Sequence, residues 1–238
     1  MREALRRELG LFELRDRFRG YTRRALEALH RLPGPPPRRV LELGAGRGSV
    51  TLTLAAALPP DTGILGIDID GDALAEAERA LREAGLAPRV SVRHVGLMEL
   101  DPGPTPGPDP APESGPFDLI WEEGVLHLLE DDQSLPRCHA LLRPGGLLVC
   151  AECVAWLEAR QDVLARAGFT CVARLPWTPG CWWTEYYAPL SERVKRVRAG
   201  ARSTQDAAAL AQLEAEIAAA RADVPATDCA HHLYRRNG

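Results

Sequence analysis

Three glycines at alternate positions, Gly44, Gly46 and Gly48, follow the run Val40-Leu41-Glu42-Leu43 and limit this chain more than any other feature. An apolar run that stops in such a turn reads as a buried strand. A helix over residues 49–58 follows, ended by Pro59-Pro60. Bare backbone leaves room for a ligand near the N–H groups that open the helix. A nucleotide-type ligand suits such a turn, and the neighbouring acids select among the kinds.

The dinucleotide fingerprint is G-x-G-x-x-G, with phosphate at the helix N-terminus. Here the third glycine arrives one residue early, and Glu42 stands two residues before the first. A carboxylate there is awkward beside a pyrophosphate and suitable beside an ammonium group. Residues 63–69 read as a second strand ending in Ile67-Asp68-Ile69-Asp70, where Asp68 can accept from both hydroxyls of a ribose. Two other readings stay open. The glycines can serve a tight strand-to-helix turn alone, or the fold can be that of a nicotinamide-dependent oxidoreductase, against which Glu42 and the early glycine speak.

The rest of the chain supports an α/β, doubly wound, mostly parallel sheet in a single domain. Its 238 residues suffice for one substantial core. Helix over 72–84, strand over 90–94, strand over 117–121 and strand over 146–150 alternate along it. A helix over 158–167 and a strand over 170–175 follow. A net charge of -4 gives no general attraction to nucleic acid. The absence of an 18-residue apolar stretch and the charged start predict a cytoplasmic chain with six reduced cysteines. Cys150 and Cys153 form one C-x-x-C without a second pair, and Cys150 closes an apolar strand, so neither a metal site nor redox work is expected of the motif. Seven of the 16 residues at 101–116 are proline, which reads as a solvated loop or a flap beside the site.

Glu42, the glycines and Asp68, with Phe117-Asp118-Leu119-Ile120-Trp121-Glu122-Glu123-Gly124 and Leu142-Arg143-Pro144-Gly145-Gly146, resemble the class I S-adenosylmethionine-dependent methyltransferases over residues 38–150. The resemblance implies a Rossmann-like seven-stranded sheet with an antiparallel last strand, expected over 230–235. It implies S-adenosylmethionine as cofactor, leaving as S-adenosylhomocysteine. Gly44, Ala45, Gly46 and Gly48 would then face its methionine part, Asp68 its ribose and Ile69 its adenine, with backbone around Glu122 receiving the ammonium group. Such enzymes often carry Gly-Asp after the third strand. Here Gly96-Leu97-Met98 stands instead, so Leu97 lacks the adenine-binding acid while the Met98 N–H remains.

Trp182-Trp183-Thr184-Glu185-Tyr186-Tyr187-Ala188-Pro189-Leu190 holds four of the nine Trp and Tyr residues of the chain. With Trp121-Glu122-Glu123-Gly124 it resembles a little-characterised bacterial group of small-molecule methyltransferases bearing W-x-E-G and W-W-x-E-Y-Y-x-P-L segments. Trp182, Trp183, Tyr186 and Tyr187 can wall an acceptor away from water or pack a helix onto the sheet. They fall in an insertion, residues 176–228, that forms a cap or a homodimer surface. Residues 1–37 form an N-terminal helical cover in which Tyr21 can reach the methionine carboxylate or pack with Phe12 and Phe18.

Glu123, just past a central strand, is the candidate to orient or deprotonate the acceptor. His127, four residues on, shares its face if a helix begins there. His231-His232 reads as part of the last strand. The basic run Arg193, Lys195, Arg196 and Arg198 is diluted by acids, so a small-molecule acceptor is favoured over RNA. The expected activity is methyl transfer to a small molecule. A non-catalytic adenosyl-ligand-binding protein is the alternative.

Overall fold

A computed structural model describes residues 2–103, 115–200 and 203–238. Most of the proline-rich segment, residues 104–114, lies outside the described residues, and so does the question of a flap there. Three helices come first: α1 (Glu3–Glu8), α2 (Leu11–Asp16) and α3 (Arg19–Arg31). The alternating part runs β1 (Arg39–Leu43), α4 (Ser49–Ala57), β2 (Gly63–Asp68), α5 (Gly71–Glu83), β3 (Val90–His94) and β4 (Phe117–Glu123). It continues with α6 (Asp131–Leu141), β5 (Leu142–Cys153), α7 (Val154–Ala159), α8 (Gln161–Arg166) and β6 (Phe169–Pro176). A π-helical turn at Trp182–Tyr187 leads into α9 (Ala188–Arg198), then α10 (Thr204–Ala222) and finally β7 (Cys229–Arg236).

The strands form one sheet in the order β3-β2-β1-β4-β5-β7-β6. Strands β1 to β5 pair in parallel, while β7 is antiparallel to both β5 and β6. The order reverses between β1 and β4, and in open α/β sheets ligands bind outside the carboxyl ends of strands at such a switch point. Alternate residues of each strand go to opposite layers. Leu41, Leu43, Ile120 and Leu148 pack with Leu135, Leu157 and Leu164 of α6 to α8. Val40, Leu119, Trp121 and Val149 pack with Leu26, Leu54 and Leu74 of α3 to α5. A third cluster joins Leu5, Leu9 and Leu14 to Leu190, Val194, Leu210 and Leu213, so the first two helices pack against the segment inserted between β6 and β7.

Helix starts follow local chemistry. Asp70 accepts from the Ala73 N–H at the start of α5, and Ser203 accepts from the Asp206 N–H at the start of α10. Two expectations need correction. Strand β4 runs two residues beyond Trp121, so Glu122 and Glu123 are strand residues with opposite facings. The single helix expected over 158–167 is two short ones meeting at Arg160, whose guanidinium bonds Asp131 and lies 4.5 Å over the Trp156 ring.

Candidate active site

Between β1 and α4, Gly44, Gly46 and Gly48 take φ of 73°, 52° and 84°, a region costly for any residue with a Cβ. The Gly44 and Ala45 N–H groups donate to the Ile67 carbonyl at 2.8 and 3.0 Å, which pins the loop across the end of β2. A Cβ on Gly44 would overlap Val125 Cγ2, and one on Gly48 would come within 3.1 Å of the Ala77 side chain. Ala45 turns its methyl into the core, so it offers a ligand only backbone.

Acids ring this loop. Glu42 is 1% exposed, and its Oε2 has no hydrogen-bond partner in the protein. Burial pushes its carboxyl up to about 8; nearby Thr51 counteracts this, while Glu123 and Asp68 add to it. Asp68 accepts from the Gly46 N–H at 2.8 Å on Oδ2 and from the Asp70 N–H at 2.9 Å on Oδ1. It therefore shapes the loop with half of its roughly four lone-pair sites and keeps the others. Beyond it, Ile69 is 78% exposed and Met98 42% exposed, two apolar side chains left in the open where the adenine end was expected. Leu97 is 6% exposed and packs in the core with Leu100.

Consecutive strand residues separate the two acids of β4. Glu122 is fully buried; its Oε2 accepts from the Val125 and Leu126 N–H groups at 3.0 and 3.3 Å, and its Oε1 has no partner. Burial, with nearby Glu152, drives its carboxyl well above the usual carboxylate range. On the other face, Glu123 Oε1 accepts from Trp121 Nε1 at 3.0 Å and from His231 Nε2 at 3.1 Å. Its Oε2 accepts from Thr22 Oγ1 of α3 at 3.2 Å. The other His231 nitrogen, Nδ1, is 2.8 Å from Trp177 Nε1. An indole N–H only donates, so Nδ1 must accept, and the imidazole proton sits on Nε2, facing Glu123.

His127 does not join Glu123. Gly124, at φ 77°, turns the chain after β4, and a short 3-10 turn at Leu126–Leu128 carries the histidine to the opposite face. There its Nδ1 lies 3.0 Å from buried Glu152 Oε2. The face sharing expected of a helix fails because no helix begins at Glu123.

The aromatics divide as well. Tyr21 stacks on Trp177 with centroids 4.5 Å apart and rings 5° from parallel, and its hydroxyl accepts from the Thr178 N–H at 3.3 Å. That side chain is thus tied to the inserted segment. Trp182 extends the stack through Phe18 at 4.5 Å and donates its N–H to Cys229 Sγ at 3.0 Å. Tyr186 is buried with Arg15 over its ring, Tyr187 donates to Glu216 of α10 at 3.0 Å, and Arg221 of α10 lies over Trp183. Of the four, Trp182 is the one whose ring meets Trp177, and Tyr186 and Tyr187 pack in turn against Trp182. Thr22, Trp121, Trp177 and His231 were not singled out as site residues by the sequence, since no local pattern links them. Nor was the cluster at the start of α4. There Ser49 Oγ donates to Asp16 at 2.7 Å, and Arg19 donates to Ser49 at 2.8 Å and to Asp16 at 2.7 Å. Among the described residues no group of His, Cys, Asp and Glu is placed to hold a metal.

Residues 41–148, which contain the loop and both acids of β4, match the family described as "Methyltransferase domain". Just under half of the chain thus resembles a methyltransferase domain. The chain is 37% identical over 128 residues to the trans-aconitate 2-methyltransferase of Methylobacterium nodulans, a stretch covering 53% of this chain and 43% of the relative. The Variovorax paradoxus enzyme of the same name is 32% identical over 158 residues, 66% of this chain and 52% of the relative. The chain thus spans about half the length of these curated relatives. A methyltransferase from Geobacter sulfurreducens, solved with S-adenosylhomocysteine, superposes with a TM-score of 0.66 at 19% identity, over 91% of this chain and 89% of that one. The cyclase SpnF gives 0.66 at 21% identity, over 90% and 81%. With the sheet order, these likenesses make the fold that of a class I methyltransferase, as the sequence resemblance implied.

Proposed function

We propose that the protein transfers a methyl group from S-adenosylmethionine to a small-molecule acceptor lying between the end of β4 and helix α3. One observation carries the reading: Glu42, a fully buried carboxyl beside the glycine loop, keeps Oε2 outside any hydrogen bond of ordinary geometry, with the Thr51 hydroxyl and backbone nearby. An unsatisfied buried acceptor is unfavourable by about 1–3 kcal/mol, and an ammonium group arriving at the loop would relieve it. A pyrophosphate would not. The residues therefore fit the cofactor. Glu42 and the loop backbone would hold its methionine part, Asp68 its ribose, and Ile69 with Met98 its adenine.

When bound, S-adenosylmethionine supplies a methyl group on a cationic sulfur, which passes to the acceptor's lone pair while the carbon–sulfur electron pair returns to sulfur. Glu123 positions that acceptor. Three donors occupy three of its roughly four lone-pair sites, leaving one for a proton on the acceptor nitrogen, oxygen or sulfur. Thr22, Trp121 and His231 fix the carboxylate so that this free site has one direction, which is what an in-line displacement requires. Aromatic walls from Phe18, Tyr21, Trp177 and Trp182 keep water away. A cytoplasmic location, with the cysteines as thiols, belongs to the same reading.

Replacing Glu123 with Gln tests this. Formation of S-adenosylhomocysteine, followed over a panel of small amines, phenols, thiols and carboxylates, should fall by about 10²-fold or more for the accepted substrate. Affinity for S-adenosylmethionine should change less than twofold. Full turnover in the variant would remove Glu123 from the mechanism, and no turnover of any acceptor by the parent protein would favour the non-catalytic alternative.

A further inference from the structure

Cys153 and Cys229 end and begin neighbouring antiparallel strands, and they are register partners. The Val154 N–H donates to the Asp228 carbonyl at 2.8 Å, so the next pair along is a hydrogen-bonded one. The Cys229 carbonyl turns the other way, accepting from Trp177 at 3.0 Å. Cys153 and Cys229 are therefore a non-hydrogen-bonded pair, the type in which the α-carbons approach to about 4.5 Å and the side chains stand closest. That spacing lies inside the window a disulfide accepts. The two Sγ atoms are 3.9 Å apart. Cys150, the other half of the sequence's C-x-x-C, faces the opposite layer of the sheet.

We propose that Cys153 and Cys229 are a reversible cross-strand disulfide site, closed by low-molecular-weight disulfides and opened by thiols. The inference stands apart from the methyl-transfer reading. The Cys153 thiolate attacks one sulfur of the disulfide RSSR, forming a mixed disulfide and expelling RS⁻. The Cys229 sulfur then gives up its proton to the expelled thiolate and attacks the Cys153 sulfur, expelling the second RS⁻. Two protein thiols are oxidised, one RSSR is reduced to two RSH, and both thiol protons end on those products.

The surroundings suit this order of events. Cys153 is partly exposed and Cys229 is buried, so an outside reagent meets Cys153 first. The hydrogen bond from Cys229, helped by His127 and opposed by burial and Glu152, brings the Cys153 thiol down to about 7. The same bond and burial hold the Cys229 thiol high. Closing the bond moves each sulfur by roughly 1 Å toward the S–S length of about 2.05 Å. That shifts Cys229 Sγ, which accepts from Trp182 Nε1 at 3.0 Å. Trp182 lies 6.5 Å from Trp177 with rings 8° from parallel, and Trp177 holds His231. The redox state of the pair thus reaches the aromatic wall beside Glu123.

The test equilibrates the full chain in mixtures of oxidised and reduced glutathione. As oxidised glutathione rises, the protein should lose two of its six thiols and the mass of two hydrogen atoms, and peptide mapping should join Cys153 to Cys229. Tryptophan emission should shift with the bridge and return on reduction. In Cys153→Ser the thiol-pair loss and the emission shift should both vanish. A bridge between Cys150 and Cys153, glutathione adducts at Cys153 that never close, or thiol-pair loss persisting in Cys153→Ser would overturn the proposal. A bridge that closes with unchanged tryptophan emission would overturn its link to the aromatic wall.

Discussion

Glu123 Oε1 and His231 Nε2 lie 3.1 Å apart although 108 positions separate the residues in sequence. The indole of Trp177, by donating to the far ring nitrogen, leaves His231 only one way to face the acid. The pair is buried on the histidine side, with 1% of its side chain exposed against 17% for Glu123. The acid thus keeps an exposed edge while the histidine holds it from the buried side.

His231→Ala should therefore do two separable things. It leaves the buried Trp177 N–H without a partner, which should lower stability by about 1–3 kcal/mol in a denaturant titration. It also frees Glu123, so turnover at saturating cofactor should fall about tenfold or more while cofactor affinity stays within twofold. A purely structural role for His231 predicts normal turnover per folded molecule.

Glu42 gives a pH signature. Its folded carboxyl stands at about 8, above the value near 4.3 of an unfolded glutamate. Between those values the unfolded chain sheds a proton that the folded one keeps, so Glu42 lowers stability progressively as pH rises through that window. A bound ammonium favours the ionised form, so cofactor binding should release a proton. Affinity should rise with pH, by up to about tenfold per unit, until pH 8. Above that the ligand's own amino group, near 7.7–8.0, begins to lose its charge. Calorimetry at pH 6, 7 and 8 in buffers of different ionisation enthalpy measures both, and Glu42→Gln should flatten the rise.

Leu97 stands where the resemblance leads one to expect an adenine-binding acid, and the obvious repair should fail. Its side chain lies in the core near Leu100, so Leu97→Asp would bury a charge without a partner. The expected result is a loss of about 3 kcal/mol or more in stability and no gain in cofactor affinity. Tighter binding in a stable variant would place residue 97 in the cofactor site instead.

Much of this was legible in the chain. Glycines 44, 46 and 48, Asp68 and the alternating strands carry local signals, enough for the fold and for the turn between β1 and α4. The end of β4 misled because the strand was expected to stop at Trp121, whereas Glu122 continues it, buried and capping the next turn. His127 misled because spacing along a helix was applied where Gly124 reverses the chain. The setting of Glu123 was out of reach for another reason. Its partners come from α3, β4 and β7, and contacts between residues so far apart leave no periodicity to find.

The central claim is that the glycine loop and its acids hold an adenosyl ligand rather than a dinucleotide. Calorimetric titration of the chain and of Asp68→Ala with S-adenosylmethionine, S-adenosylhomocysteine and NAD tests it most directly. Micromolar binding of both adenosyl ligands, a loss of about tenfold or more in the variant as the ribose contacts go, and no binding of NAD are expected. Binding of NAD alone, or adenosyl binding untouched by Asp68→Ala in a folded variant, would contradict it.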